Sequence, residues 1–385
     1  MKVLSRQRGI LRDGALRHLR ERSFSTWLLA LGLLSGCRDW DSLTDGLARV
    51  ANLPPDEAFS TGGVLALDGG VIDTSTLTLL GQVLPDGVRF DAVDAGVELA
   101  VLRVSTLTLV GRVRVRGARP LVVLAREDIV IDGVLDGAAR GTEPGPGADL
   151  EGQGPGGAAE TSGSLAAGAG GAGHASSGGA GGAVPALLAG AGGSAYGSPE
   201  SLILEPGSRG GRGGRSACVV RGGGGGGALQ LFAGRRLVVN EGGAITVGGG
   251  GGEDVCEPCR RVSFEGGGAG GGSGGTLLLQ SPVMELRGVL AANGGGGSGT
   301  CDRRSSAGAD GLESDRPAPG GAGRGPPCCG EGAPGGAGTT PPGVGGEGGA
   351  MAGGGGGAVG RVRIVTRAGS VVLGTISPSP VLRAW

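Results

Sequence analysis

The stretch LVVLAREDIVIDGVLDG, residues 121–137, decides the fold. A run of apolar residues is followed by a two-residue polar corner, a second apolar run, an Asp-Gly corner and a third short run. The runs are short and rich in Val, Ile and Leu, and turn residues bound them, which is typical of short β-strands. This stretch therefore predicts three strands separated by two tight corners.

The same unit recurs three more times along the chain. The later copies begin with residues 229–233, 277–280 and 361–365, and they continue with residues 237–247, 284–290 and 370–376. Upstream, STLTLLG at 75–81 is repeated as STLTLVG at 105–111. Short units that cannot bury a face alone are expected to stack. We therefore predict an all-β fold, a right-handed parallel β-helix or solenoid, with a β-sandwich as the alternative.

Long glycine-rich insertions separate these units, at residues 137–227, 248–275 and 294–360. The chain has 93 glycines and only 2 % aromatic residues, which does not describe an ordinary packed core. Glycine tracts lose much backbone entropy on ordering and have no side chains to bury. They are either disordered or packed backbone to backbone as polyproline II helices. We favour partial order, because each tract ends just before a predicted strand.

The N-terminal residues carry an export signal. Residues 1–26 hold seven Lys or Arg against two acidic residues, and the apolar run 27–34 is much shorter than the roughly 20 residues that span a bilayer. The run ends in Leu34-Ser35-Gly36-Cys37, which resembles the lipobox of bacterial lipoproteins. The resemblance implies a signal peptide at 1–36 and acylation of Cys37. Leu53-Pro54-Pro55 and Thr61-Gly62-Gly63 predict a tether at 37–62, and the strand-like texture that follows predicts a body at 63–385. A plain secretory signal, with Cys37 incidental, is the alternative.

Six further cysteines lie at or inside the glycine-rich insertions. They are Cys218, Cys256, Cys259, Cys301, Cys328 and Cys329. An even number of cysteines in an exported chain predicts disulfides, whose pairing the sequence leaves open. The Cys256-x-x-Cys259 pair resembles a redox motif but lacks the strand-to-helix setting that activates a thiol. A zinc site is disfavoured outside the reducing cytoplasm, so we expect structural bridges, with no metal and no cofactor.

Charge and motif patterns exclude several function classes. The net charge of −1 and the pI near 6.2 argue against a nucleic-acid partner. The only lysine is Lys2, so the mature chain lacks the P-loop lysine and we expect no nucleotide partner. Ser273 matches G-x-S-x-G, but a strand rather than a helix is predicted to follow it. His174 lies among glycines and is expected to be an exposed loop residue with nothing to orient its ring.

Two alternative functions rest on polar residues of the predicted strands. Parallel β-helices often carry polysaccharide lyases and hydrolases, and Asp132 and Asp136 with Arg126 and Arg140 provide carboxylates and guanidiniums for such a site. A solvated strand face explains these charges more simply. The pairs Thr76/Thr78 and Thr106/Thr108 hint at the regular threonine array of a surface- or ice-binding module.

Residues 117–137, followed by glycine-rich sequence, resemble a group of exported glycine-rich bacterial proteins. Proteins of the PE-PGRS type are similar in composition, although their N-terminal PE segment is absent here. The resemblance implies a β-solenoid in the cell envelope and carries over no activity. We expect a lipoprotein with a structural, adhesive or matrix-interacting role, at the outer membrane or cell surface rather than the inner membrane. Its expected partners are the membrane, through the acyl chains, and cell-surface or matrix polysaccharide.

Overall fold

The computed structural model describes residues 50–54, 63–80, 83–149, 151–215, 218–254, 266–300, 306–323, 329–367 and 371–384. The chain divides into two units, Met1–Leu47 and Ala48–Trp385, and every described residue belongs to the second. The described residues form strands, turns and extended segments, without an α-helix. Within them, no helix has the length and hydropathy needed to cross a membrane. The prediction of an all-β chain is confirmed.

The described residues contain 22 strands. In chain order they are β1 (Val64–Leu67), β2 (Gly70–Asp73), β3 (Thr78–Leu80), β4 (Arg89–Asp94), β5 (Glu98–Val104), β6 (Thr106–Leu109), β7 (Arg112–Arg116), β8 (Leu121–Ala125), β9 (Asp128–Ile131), β10 (Val134–Asp136), β11 (Thr161–Ser162), β12 (Leu165–Ala166), β13 (Gly213–Arg215), β14 (Cys218–Val220), β15 (Ala228–Ala233), β16 (Arg236–Val239), β17 (Ala244–Thr246), β18 (Thr276–Gln280), β19 (Met284–Ala291), β20 (Arg361–Thr366), β21 (Val371–Ser377) and β22 (Val381–Ala384). The pairs β11–β12 and β13–β14 are small antiparallel ribbons on their own.

The other strands form two mainly parallel sheets. The long sheet has 11 strands in the order β1-β6-β9-β16-β19-β17-β10-β7-β2-β3, with β21 paired to β19. The short sheet has seven strands in the order β22-β20-β18-β15-β8-β5-β4. Antiparallel pairs occur within these sheets only where β3 meets β2 and where β4 meets β5. From β5 to β22, setting aside the two small ribbons, the chain passes from one strand of the short sheet to one or two strands of the long sheet and back. Consecutive described strands of one large sheet pair as hairpins only at β2–β3 and β4–β5.

Each repeated unit of the sequence places its first strand in the short sheet and its remaining strands in the long sheet. Strands β8, β15, β18 and β20 lie side by side and in parallel, with Leu121 opposite Leu229, Leu229 opposite Leu277 and Leu277 opposite Val362. Strands β9, β16, β19 and β21 stack in the same order in the long sheet. The copies recognised in the sequence are thus neighbours in space.

Stacking places equivalent side chains above one another in the core. One inward column of the long sheet contains Leu67, Leu109, Ile131, Val239 and Leu286, all at most 3 % exposed. A column of the short sheet contains Leu102, Val123, Leu231, Leu279 and Ile364, all 0 % exposed. Burial of each such side chain contributes about 1.5–3 kcal/mol. These two columns consist of aliphatic side chains alone, which agrees with the low aromatic content.

The described parts of the glycine-rich stretches pack as extended segments joined by backbone hydrogen bonds. Segment 352–360 shows the pattern. The N–H groups of residues 352, 355 and 358 donate to the carbonyls of residues 166, 169 and 172 in a first neighbouring segment. Those of residues 354, 357 and 360 donate to residues 298, 295 and 292 in a second segment, and those of residues 353 and 356 donate to residues 346 and 343 in a third. The donors rotate among three neighbouring segments with a period of three residues. This is the period of a polyproline II helix, which has no internal hydrogen bonds.

Close backbone approach explains why these segments are glycine. A Cβ atom at Gly354 would lie 1.9 Å from the carbonyl oxygen of Ala269, and one at Gly170 would lie 1.9 Å from that of Ala191. The obstructing atoms belong to the backbone, so no side-chain rotation relieves the overlap. For the described residues, backbone-to-backbone packing is confirmed. We call this array of segments the glycine lattice.

Candidate functional site

Part of the predicted tether lies on the outer face of the short sheet. The Ala51 carbonyl accepts a hydrogen bond from Gln230 Nε2 at 2.8 Å, and the Ala51 N–H donates to Gln280 Oε1 at 3.1 Å. Asn52 Nδ2 donates to Gln230 Oε1 at 2.9 Å, and Leu53 is only 6 % exposed. Gln230 and Gln280 belong to β15 and β18. Residues 51–53 therefore attach at the middle of the sheet rather than at its edge.

The carboxylates considered for a polysaccharide-active site occupy different environments. Asp136 is 3 % exposed and accepts hydrogen bonds from Arg112 Nη1 at 3.0 Å, Arg140 Nη2 at 2.9 Å and the N–H of Ala138 at 3.1 Å. Arg112 also donates two hydrogen bonds to Glu313. These bonds are the largest cause of the raised pKa of Arg112, and the contact with Asp136 raises it further. Asp136 therefore links β10 to Arg112 of β7 and to Arg140, and both of its carboxylate oxygens accept hydrogen bonds.

The other members of that set do not complete a catalytic pair. Asp132 is exposed and accepts a hydrogen bond from Asn240 Nδ2 at 2.5 Å. Arg140 forms an ion pair with Asp136, and its side chain is 51 % exposed. Arg126 is half-buried. Asp132 and Arg140 are exposed, as the solvated-face interpretation expects, whereas Asp136 is buried.

A buried polar cluster joins the glycine lattice to the short sheet. The rings of His174 and Tyr196 stack with centroids 4.6 Å apart and planes 8° apart. His174 is 0 % exposed, and its Nδ1 lies 2.7 Å from the Gly274 carbonyl oxygen. Because a carbonyl only accepts, Nδ1 carries the proton and Nε2 carries the lone pair, which has no protein partner. The expectation of an exposed, unoriented His174 was wrong.

The same cluster contains two buried arginines. Arg363 is 1 % exposed and donates to the carbonyls of Ile203 at 3.0 Å and Ser198 at 2.8 Å, while Arg361 donates to the carbonyl of Tyr196. The carboxylate of Glu205 lies 3.7 Å from Arg363. Carbonyl oxygens thus replace the water that these guanidiniums lose on burial.

Burial sets the protonation states in this cluster. Desolvation, aided by the nearby positive charges of Arg361 and Arg363, lowers the pKa of His174 to about 3. Desolvation also raises the pKa of Tyr196 to about 12 and lowers the pKa of Arg363 to about 10. His174 is therefore neutral at any physiological pH, and Tyr196 keeps its proton, which it donates to the Pro206 carbonyl at 2.5 Å. The cluster holds segments together, and neither His174 nor Tyr196 is poised to exchange a proton near pH 7.

Ser273 is buried in the lattice beside this cluster and does not form a nucleophile elbow. Its Oγ accepts a hydrogen bond from the N–H of Ser208 at 2.8 Å. Strand β18 begins three residues later, at Thr276, as the sequence indicated. His174 is hydrogen-bonded to the backbone of Gly274 rather than to this hydroxyl. The two residues do not form a Ser-His pair of the hydrolase type.

The two threonine pairs are not brought together. Thr76 and Thr78 form a 2.8 Å hydroxyl–hydroxyl bond at the exposed end of β3. Thr106 and Thr108 lie on β6, opposite Val64 and Ala66 of β1, in another part of the long sheet. Thr108 is followed in its column by Val130. The threonines therefore do not form the regular array that a surface- or ice-binding face requires.

The described residues include part of the cysteine set. Cys329 is disulfide-bonded. Cys218 lies in β14, and Cys37, Cys256, Cys259, Cys301 and Cys328 fall outside the described residues, so the predicted bridges at these positions stay predictions. Within the described residues, no group of three His, Cys, Asp or Glu side chains is placed to hold a metal ion.

The fold and its polar clusters define the class as an all-β chain of stacked parallel strands and glycine segments. No protein-family model, curated protein or solved structure matches the chain.

Proposed function

We propose that the chain is a lipoprotein of the bacterial cell envelope, held to a membrane by acyl chains on Cys37, whose body is a rigid structural or adhesive scaffold. The observation that carries this proposal is the glycine lattice. It continues directly from the strands, since the N–H of Gly137 donates to Thr246 and that of Ala139 donates to Gly248. A continuous array of backbone hydrogen bonds is suited to keeping a surface in a fixed shape outside the cell.

The body is, in this proposal, a right-handed parallel β-solenoid. Parallel neighbours in both large sheets support it, because each strand of one unit pairs with the equivalent strand of the next. A β-sandwich of hairpins calls for antiparallel neighbours throughout. The two antiparallel pairs, β2–β3 and β4–β5, lie at one end of the stack.

One face of the glycine lattice presents side chains on a regular grid. Segments 318–323, 330–336 and 341–348 are neighbours, since residues 332 and 335 donate to 321 and 318, and residues 343 and 346 donate to 334 and 331. Every third residue of each segment is exposed: Pro319 and Ala322, Glu331 and Pro334, and Val344 and Glu347. The spacing along a segment is about 9 Å, three residues at about 3.1 Å each. We call this the grid face, and propose that it contacts matrix or cell-surface polysaccharide.

The grid face provides a direct test of the adhesive role. Cells carrying the protein are expected to bind at least one of a panel of immobilised envelope polysaccharides. The double change Glu331→Lys/Glu347→Lys should weaken that binding about tenfold, because carboxylates that accept hydrogen bonds from sugar hydroxyls are lost. Glu241→Lys, an exposed turn residue outside this face, is the matched control. No binding to any polysaccharide, or equal loss in the control, would contradict the adhesive role.

The anchor has its own test. Cys37→Ala should abolish incorporation of labelled fatty acid and release the protein from the membrane fraction, because no thiol remains to be acylated. Gly36→Ala keeps a small residue in the lipobox and should still be labelled. Protease treatment of intact cells should remove the labelled wild-type protein. Labelling that persists in Cys37→Ala would rule out acylation at this residue.

The polysaccharide-degrading alternative gains no support from the described residues. The oxygens of Asp136 are occupied by Arg112, Arg140 and Ala138. Asp132 contacts Asn240 rather than a second acid.

A further inference from the structure

The two inward columns of the core end at side chains that are left uncovered. In the long sheet, Leu373 stacks on Leu286 and is 43 % exposed, although Leu286 itself is 1 % exposed. In the short sheet, Leu382 stacks on Ile364 and is 52 % exposed, although Ile364 is 0 % exposed. Among the described strands, β21 and β22 each have a neighbour on one side only. This end of the stack, which we call the open end, combines exposed core side chains with two free strand edges.

The opposite end of the stack is closed. Strand β3 folds antiparallel onto β2, and β4 folds antiparallel onto β5. Their side chains Leu79 and Phe90 are 6 % and 7 % exposed and complete the core there. A stack of repeated units needs a cap at each end to stay soluble. Within the described residues, only one end has such a cap.

The two ends of the stack differ in the charged residues that their outermost strands carry. Strand β21 has the sequence VVLGTIS, without a charged residue or a proline, although natural proteins usually protect a free edge with such residues. Arg383 in β22 is paired with Glu200. Strand β4 of the closed end carries Arg89, Asp91 and Asp94. Packing the open end on the closed end would desolvate these charges, whereas β21 and β22 together carry a single charged residue, the paired Arg383.

We propose that the open end is the interface of a twofold symmetric dimer, in which it packs against the open end of a second copy of this chain. A twofold axis presents the same surface of both copies and closes the assembly. The charges of β4 at the closed end disfavour head-to-tail addition, so we expect the assembly to stop at two chains. The antiparallel contact of two β21 edges would extend the long sheet across the axis and cover Leu373 in both copies.

Sedimentation equilibrium of the full chain in density-matched detergent tests this proposal. The wild-type protein should have twice the mass of one chain at micromolar concentration. Leu373→Arg should weaken dimerisation at least about tenfold, because a charge would be buried at the axis. Leu382→Arg provides an independent second variant on β22. Val64→Arg is the matched control, because Val64 is 60 % exposed on β1, the strand at the other margin of the long sheet.

Circular dichroism and the urea midpoint establish that each variant is folded before its mass is interpreted. A dimer that Leu373→Arg and Leu382→Arg dissociate and Val64→Arg leaves intact would support the proposal. A monomeric wild-type chain would overturn it and assign the open end to another segment or another protein. Masses that grow beyond two chains, or dimers that persist in both open-end variants, would also overturn it.

Discussion

Gly170→Ala is expected to lower the free energy of unfolding by about 3 kcal/mol or more, a large effect for a single methyl group. The added Cβ would lie 1.9 Å from the Ala191 carbonyl oxygen and 2.4 Å from its carbon. Gly170 also donates its N–H to Gly157 and accepts a hydrogen bond from Gly211. Relief of the overlap would separate segments that these bonds join, so steric and hydrogen-bond losses add.

Urea denaturation followed by circular dichroism measures this loss. Gly242→Ala is the matched control, because its Cβ would meet only the Asp132 carbonyl oxygen at 3.8 Å, in an exposed turn. That variant should change stability by no more than about 0.5 kcal/mol. Equal midpoints for the two variants would show that the lattice does not exclude side chains at Gly170.

Acidification from pH 6.5 towards pH 3 is expected to destabilise the protein by up to about 1.4 kcal/mol per pH unit through His174 alone. The pKa of His174 in the folded chain, about 3, lies below its ordinary value of 6.5. The unfolded chain therefore binds the proton first as the pH falls. The stabilisation is complete above pH 6.5 and is lost as the pH falls towards 3. Burial and the neighbouring Arg361 and Arg363 prevent the ring from taking a proton in place.

His174→Gln isolates this contribution. Glutamine has a donor for the Gly274 carbonyl but does not titrate, so the variant should be less stable than the wild type at pH 8 and should lose less stability between pH 6.5 and 4. Carboxylates titrate in both proteins, and the difference between the two urea midpoints removes their contribution. Parallel midpoint curves for the two proteins would show that His174 is protonated without unfolding.

The strands were predictable because their signals are local. The runs 121–125, 229–233, 277–280 and 361–365 coincide closely with β8, β15, β18 and β20. Apolar runs between glycine corners determine a short strand without reference to distant residues. The repetition of the unit also predicted that the copies would be neighbours.

The buried polar cluster was not predictable in the same way. His174 looked exposed because its neighbours in sequence are glycines, yet its partner Gly274 lies 100 residues away. The sequence contained two signals for this cluster. One is Tyr196, the single tyrosine of a chain with few aromatic residues, and the other is the pair of alternating arginines, Arg361 and Arg363, in a predicted strand. Which segments of the glycine lattice are neighbours depends on the register between residues far apart in sequence. Because these segments consist largely of glycine and alanine, their sequences differ too little to specify that register.

The three-residue rotation of lattice donors also constrains how the gene can change in length. A segment lengthened by three residues presents each donor to the same neighbour as before. A segment lengthened by one residue directs every later N–H of that segment to a different neighbour, and for segment 352–360 that would exchange the partners 166–172, 292–298 and 343–346. We therefore expect insertions and deletions in these stretches to be tolerated in steps of three codons, so that duplication of a nine-nucleotide unit lengthens a segment without changing its neighbours.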